Sequence, residues 1–261
     1  MRFMSVVLIA IVALSSLAHA NNPYSARRPP NESYLTKINQ FKKQFNIWRS
    51  RPKDYVTAEN AKVKFDQLDE KQVKTWTGSV DFETYFKNIR DERFLKKNPS
   101  FPRRLTWLYP DDGCYARAEI ASQKSLAYDF SGGSKVFVFG DLTVKTSNSS
   151  SGSVSWWYHV AVAYRANDVV YIVDPAINPD QPLRLETWLS TMGDVHQLEV
   201  SICNANTYQP ESECNPKISA PSNYAYNDIE EFLQLEWQRL QELGRIPHNE
   251  LGENPPWKRS L

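Results

Sequence analysis

Cys114, His159 and Asp174 are the residues whose types and spacing could carry chemistry, and that chemistry is acyl transfer through a thiolate. Cys114 follows Asp111-Asp112-Gly113, a capping and turn sequence, and shares a small-residue helical face with Ala118, Ala121 and Ser125. A thiol in the first turn of a helix sees unpaired backbone N–H groups and the positive end of the helix dipole, which favour thiolate. The same N–H groups can hold a developing oxyanion. The plainer alternative is a small, inert core cysteine.

A nucleophilic cysteine needs a base. His19 lies in the leader, His248 in a Pro-rich tail, and His196 follows Gly193-Asp194 at the start of a strand; the last two read as surface residues. His159 lies inside Trp156-Trp157-Tyr158-His159-Val160-Ala161-Val162-Ala163-Tyr164. Alternation puts Trp157, His159, Ala161 and Ala163 on one face and Tyr158, Val160, Val162 and Tyr164 on the other. Arg165-Ala166-Asn167-Asp168 reads as a hairpin connection. A turn centred between Ala166 and Asn167 sets Tyr164 opposite Val169 and His159 opposite Asp174. Directly opposed Cβ atoms lie about 4.5–5.5 Å apart, which suits a carboxylate orienting an imidazole. A loop of odd length would make the pair diagonal. The competing readings are a satisfied structural histidine and a turn-initiating aspartate before Pro175.

The elements that must position these residues follow from periodicity. Tyr34, Ile38, Phe41, Phe45 and Trp48 share a helical face; a more charged helical stretch covers Thr57 to Trp76, and another carries Phe82, Tyr85, Phe86 and Ile89. Beyond the helix at Cys114 come strands at Lys135–Phe139, Leu142–Thr146, Ser155–Tyr164, Val169–Asp174 and His196–Cys203, with a polar loop over Ser147–Ser153. A final helix spans Ile229 to Leu243, capped by Asn227 or Asp228 and stopped by Gly244, and the tail after Pro247 reads as loose. A helix followed by consecutive strands predicts an α+β domain with a mainly antiparallel sheet.

The chain has 261 residues, 41% hydrophobic and 23% charged, with 31 basic against 30 acidic side chains. This balance gives no electrostatic case for nucleic acid or an anionic membrane surface. Arg2, the apolar run Val6–Leu14 and Ala18-His19-Ala20 read as a secretory signal peptide, which makes residues 1–20 a leader and the remainder an exported protein, secreted or periplasmic. Asn21 to Asn31 look disordered. Of three cysteines, Cys203 and Cys214 are closely spaced and suit a small disulfide clip, which leaves Cys114 free. The expected organisation is a helical N-terminal region over 21–100, a catalytic domain over 101–215, and a C-terminal helix and tail over 216–261. No metal-ligand spacing and no phosphate-binding loop is present, so no cofactor is expected.

Asp112-Gly113-Cys114-Tyr115-Ala116-Arg117-Ala118, Trp157-Tyr158-His159-Val160-Ala161 and Ile172-Val173-Asp174-Pro175 resemble, in that order, the motifs of the secreted bacterial protein-glutaminases (protein-glutamine deamidases). Phe137-Val138-Phe139-Gly140-Asp141-Leu142 is similar to the intervening segment, and the resemblance covers about Leu108 to Ala176. It implies a transglutaminase-like, papain-related core with Cys114 as nucleophile, His159 as base and Asp174 as orienter. It also implies a glutamine-containing protein or peptide as substrate, and an inhibitory pro-region that the front third could supply. This chain has fewer cysteines than that family carries. Trp107, Trp156 and Trp157 could wall the acyl site or donate an indole N–H, and as core or rim aromatics they would do neither. Competing functions are a transglutaminase, a cysteine protease, and a non-catalytic secreted binding protein with a structural Cys114.

Overall fold

The computed structural model describes residues 25–29, 31–48, 55–96, 101–218 and 222–259. The signal peptide expected over 1–20 lies outside the described residues, as does the start of the leader. Among the described residues no helix is long and apolar enough to cross a membrane.

The fold is α+β. Its centre is a six-stranded sheet in the order β1-β6-β2-β3-β4-β5, with every neighbouring pair antiparallel. The strands are β1 (Val63–Lys64), β2 (Ser134–Lys145), β3 (Ser153–Ala166), β4 (Val169–Val173), β5 (Leu183–Arg184) and β6 (Glu199–Asn204). The helices are α1 (Tyr34–Trp48), α2 (Phe82–Asp91), α3 (Cys114–Ser125), α4 (Leu185–Ser190), α5 (Ser222–Glu242) and α6 (Pro247–Leu251). From Trp156 through Tyr164 every residue of β3 is buried, because the sheet is covered on both faces. Phe41 of α1 packs on Trp157 at 4.8 Å between ring centroids, while Tyr85 of α2 lies 5.6 Å from Tyr164 and hydrogen-bonds Ser125 of α3.

Several expectations need correction. Thr57 to Trp76 is not a helix. Its charged run has no apolar face to bury, and local polar bonds take over: Asn60 N–H donates to Thr57 Oγ1 and Lys71 N–H to Asp69 Oδ1. Val63 and Lys64 instead pair with Val200 and Glu199 at the sheet edge, and short 3-10 turns follow at Phe65–Gln67 and Glu70–Gln72. The two strands expected over 135–146 are one strand, β2, with a bulge between Phe139 and Leu142 where Gly140 takes φ 148. His196 lies in a 3-10 turn before β6 rather than in the strand.

The β3–β4 hairpin turns on Asn167 and Asp168, both left-handed at φ 50 and 61, the backbone of a type I′ turn. The turn centre is therefore one residue further along than predicted. Tyr164 faces Tyr171 and Ala166 faces Val169, which displaces each expected partner by two. A two-residue shift keeps every side chain on its own face, whereas a one-residue slip would have inverted them.

Helix α5 begins at Ser222, ahead of the expected cap at Asn227 or Asp228. The tail is not loose. Pro247 opens α6, and Leu251 is buried with Leu240 and Leu108 in a small second core. The Cys203–Cys214 disulfide is present as expected and joins β6 to a loop whose Cys214 N–H donates to Val56 O.

Candidate active site

Cys114 opens α3 behind Gly113, which sits at φ 79. No side chain caps the helix there, contrary to the role expected of Asp111 and Asp112. A Cβ on Gly113 would come within 2.6 Å of the Phe232 ring of α5, so both backbone conformation and close packing require glycine. The preceding loop is pinned from inside the helix: the Arg117 guanidinium donates to Asp112 O at 2.8 Å and Tyr109 O at 3.1 Å. Asp112 Oδ1 accepts Gly113 N–H at 2.8 Å.

Cys114 is free and buried. Its sulfur accepts the backbone N–H of Val160. Burial pushes the thiol up to about 12; Arg117 pulls against that, and the carboxylates of Asp112 and Asp174 add to it. Burial therefore works against the thiolate that the helix start favours.

His159 is 1% exposed, with Nε2 on Asp174 Oδ2 at 2.8 Å. The Trp188 indole N–H donates to the same oxygen at 2.9 Å. Burial would raise the Asp174 carboxyl, but the His159 charge and the hydrogen bonds from His159 and Trp188 outweigh it and hold the group below the usual carboxylate range. Trp156 stacks on the imidazole at 4.6 Å between centroids and 13° between planes, and its own N–H is anchored on Pro110 O at 2.9 Å. The other ring nitrogen, Nδ1, is buried without a hydrogen-bond partner.

His159 and Asp174 are in direct contact, and Cys114 lies where β3 packs on α3. His159 directly precedes the Val160 N–H bound to the Cys114 sulfur, and Asp174 follows the end of β4. With Val173 opposite Val162, Asp174 reaches His159 diagonally rather than from the facing position. His196 and His248 are exposed, apart from this cluster. Trp188 was missed by sequence reasoning. Its spacing with Leu185 and Leu189 marks it only as a buried helix position, and nothing local signals a carboxylate partner.

The indoles of Trp107, Trp156 and Trp157 donate to Arg90 O, Pro110 O and Ser25 O respectively, so in this state none has an N–H to spare. Trp157 brings the N-terminal segment into the site. Residues 25–28, expected to be disordered, lie along β3 and form an isolated antiparallel bridge at Arg27, opposite Trp156. Arg28 N–H donates to Ser155 O at 2.8 Å and Trp157 N–H to Ala26 O at 3.1 Å. Ala26 N–H donates to Asp112 Oδ1 at 3.2 Å, and Arg27 pairs with Asp111 at 3.0 Å. Among the described residues no group of three or more His, Cys, Asp or Glu side chains is placed to hold a metal ion.

The model of the family described as Glutaminase matches residues 82–192, a segment that contains all three residues and Trp188. Over this segment the chain is similar to the glutaminase family. The match begins at α2. A comparison with curated proteins gives no match. Among solved structures, the chain is similar to a crystal structure of protein-glutaminase, with 24% identity over 58% of this chain and 84% of that one and a TM-score of 0.43. A crystal structure of pro-protein-glutaminase is 18% identical over 79% of this chain and 84% of that one, with a TM-score of 0.48. The NMR structure of protein-glutaminase from Chryseobacterium proteolyticum is 22% identical over 59% and 85%, with a TM-score of 0.44.

Proposed function

We propose that this chain is an exported protein-glutamine deamidase that hydrolyses glutamine side-chain amides through a Cys114 thioester. The observation that carries the reading is the polarity of His159. One nitrogen is held by an ionised carboxylate, and the other is buried, unpaired and free to take a proton.

The chemistry runs as two acyl transfers. His159 Nδ1 takes the Cys114 proton as sulfur attacks the glutamine amide carbon, and the backbone N–H groups of the first turn of α3 hold the oxyanion. The imidazolium then protonates the departing nitrogen; ammonia leaves and the thioester remains. Neutral His159 next takes a proton from water, whose oxygen attacks the thioester carbon. Collapse returns the proton to sulfur and releases glutamate. Asp174 holds the tautomer and stabilises the imidazolium, and Trp188 keeps Asp174 ionised and oriented. Forming the ion pair only when an amide reaches the sulfur suits a thiol that burial keeps neutral at rest.

The segment at 25–28 and α1 supply the inhibitory pro-segment in this reading, and the boundary lies well before residue 100. Residues 63–95 are built into the enzyme: β1 completes the sheet, Trp76 and Lys74 bond to Arg165, and Tyr85, Phe86 and Ile89 are fully buried. Removing that stretch would open the core rather than uncover a site.

The direct test is ammonia release from glutaminyl peptides and proteins by the wild-type chain and the Cys114→Ala variant. Equal release by both would reject the mechanism.

A further inference from the structure

Arg117 is a buried cation held by carbonyl oxygens. It is 3% exposed, and its Nη1 donates to Asp112 O at 2.8 Å, Tyr109 O at 3.1 Å and Thr106 O at 3.4 Å. Among the described residues no carboxylate lies within ion-pairing distance of it. Arg103 and Lys135 are as deeply buried, yet each meets a carboxylate, Glu236 and Glu119 respectively. A buried charge surrounded only by carbonyl dipoles costs stability that a direct partner would offset. Its place in the helix adds to the cost. Arg117 stands in the first turn of α3, which carries no acidic residue, so it opposes the positive end of the helix dipole. Both penalties reverse when an anion forms beside it.

Residues three apart on a helix are neighbours, with Cβ atoms about 5–6 Å apart, and Cys114 precedes Arg117 by that interval. We infer that Arg117 is a positioning residue of the deamidase: its charge stabilises anionic sulfur, and its carbonyl bonds aim Cys114. This deepens the proposed function and rests on it for the reaction, though not for the state of the sulfur. The charge serves twice, when thiolate attacks the amide carbon and when the thioester C–S bond breaks and sulfur leaves with the electron pair. Tyr115 of α3, Asp112, Tyr158 and His159 of β3 and Asp174 are the other titratable groups around the sulfur. Asp112 and Asp174 disfavour the thiolate, as burial does, and Arg117 is the largest influence in the opposite direction. Glu236 of α5 also feels the guanidinium, which holds its carboxyl down against burial. The bound carbonyls span 106 to 112, so the loop that leads into Cys114 is tied to the charge that favours its ionisation.

The experiment compares the full wild-type chain with Arg117→Gln and Arg117→Lys. Two quantities are read: the rate of Cys114 alkylation by iodoacetamide from pH 7 to pH 9, and ammonia release from a glutaminyl peptide. Glutamine can still donate to Asp112 O but carries no charge, whereas lysine keeps the charge and loses the planar fork. Alkylation of Arg117→Gln should fall at least about fivefold at each pH, a loss tempered because a more basic thiolate is the better nucleophile. Arg117→Lys should recover most of that rate. A purely structural role predicts the opposite sign, since a loosened loop uncovers the buried thiol and speeds alkylation in both variants. In turnover, Arg117→Gln should lower kcat roughly tenfold or more and leave KM within about twofold. Alkylation of Arg117→Gln that equals or exceeds wild type, or a lysine variant as slow as the glutamine variant, would overturn the inference. A wild-type chain that releases no ammonia while the alkylation order holds would reject the amidase and keep Arg117 as the charge behind the sulfur. Ammonia release by wild type with identical alkylation in all three chains would keep the amidase and reject Arg117.

Discussion

Trp156 lies flat against His159, three residues away in the same strand, with planes 13° from parallel. Residues three apart in an unbroken strand point to opposite faces. The two rings stack nonetheless, next to a bulge in the partner strand: Gly140 and Asp141 of β2 stand against Trp157 alone, between the pairs Phe139–Tyr158 and Leu142–Trp156. Trp156 is thus a flat aromatic wall against the imidazole, while the Trp157 indole donates to Ser25 O of the N-terminal segment. Strict alternation had assigned Trp157, not Trp156, to the face of His159.

Cys114→Ala and His159→Ala should each reduce amide hydrolysis by roughly three orders of magnitude or more while the circular dichroism and unfolding transition stay near wild type. Asp174→Asn should retain a trace of turnover, because the imidazole loses its charge partner and preferred tautomer but keeps its place against Trp156. Near-normal hydrolysis by Cys114→Ala would end the thioester scheme.

Trp188→Phe removes one donor from Asp174 Oδ2 and leaves the aromatic bulk. The folded carboxyl is held below the ordinary carboxylate value of 3.8 that it has when unfolded. Its contribution to stability is therefore full above that pH and is lost as pH falls through the lower folded value. Without the indole the folded value rises. The acid limb of kcat/KM should move to higher pH, and the stability difference from wild type should shrink on acidification. A pH–rate profile beside acid unfolding curves reads both.

Replacing Cys203 and Cys214 together with serine should cost about 3 kcal/mol of stability, the scale expected for a loop of this size. Activity per folded molecule should be preserved, since the bond ties β6 to the loop under Val56 rather than to α3. Thermal melts and a non-reducing peptide map check this; a map showing Cys114 in a stable bridge would be incompatible with its proposed role.

In the intact chain Cys114 should react slowly with iodoacetamide at neutral pH, because it is 2% exposed and its thiol is pushed up to about 12. Proteolytic loss of residues 25–48 should speed both alkylation and amide hydrolysis by tenfold or more. Unchanged or diminished activity after that cut would make the segment a structural part of the enzyme.

Intact-mass analysis of a glutamine-containing protein with and without excess primary amine separates hydrolysis from transglutamination. Basic and acidic side chains nearly balance at 31 against 30, and the polar Ser147–Ser153 stretch leading into β3 supplies no apolar lysine tunnel. Deamidated product should dominate in both samples. A majority of amine-coupled product would identify the other thioester enzyme.

The sequence was most legible where local and tertiary preferences agree. Cys114 at a helix start, His159 in a long apolar strand and the Cys203–Cys214 clip could all be read from types and spacing. The hairpin register was misjudged by one turn position, yet the His159–Asp174 contact survived because displacement by two preserves the face. Features made by distant parts of the chain left no local trace. Trp188 reaches Asp174 from α4, and residues 25–28 find order only by pairing with β3. The Thr57–Trp76 stretch failed for a related reason: a weak helical period loses to an open sheet edge.

Gly113 and Phe232 make the seat of Cys114 depend on α5, a late element of the chain. The turn before Cys114 is shaped against the Phe232 ring, and Glu236 of the same helix accepts the Leu108 N–H and pairs with Arg103. A growing chain that has passed Cys114, His159 and Asp174 therefore holds all three proposed catalytic residues without the wall against which the turn before Cys114 is shaped. Hydrolysis should stay silent on the ribosome and during any passage in the unfolded state, and switch on only after α5 docks.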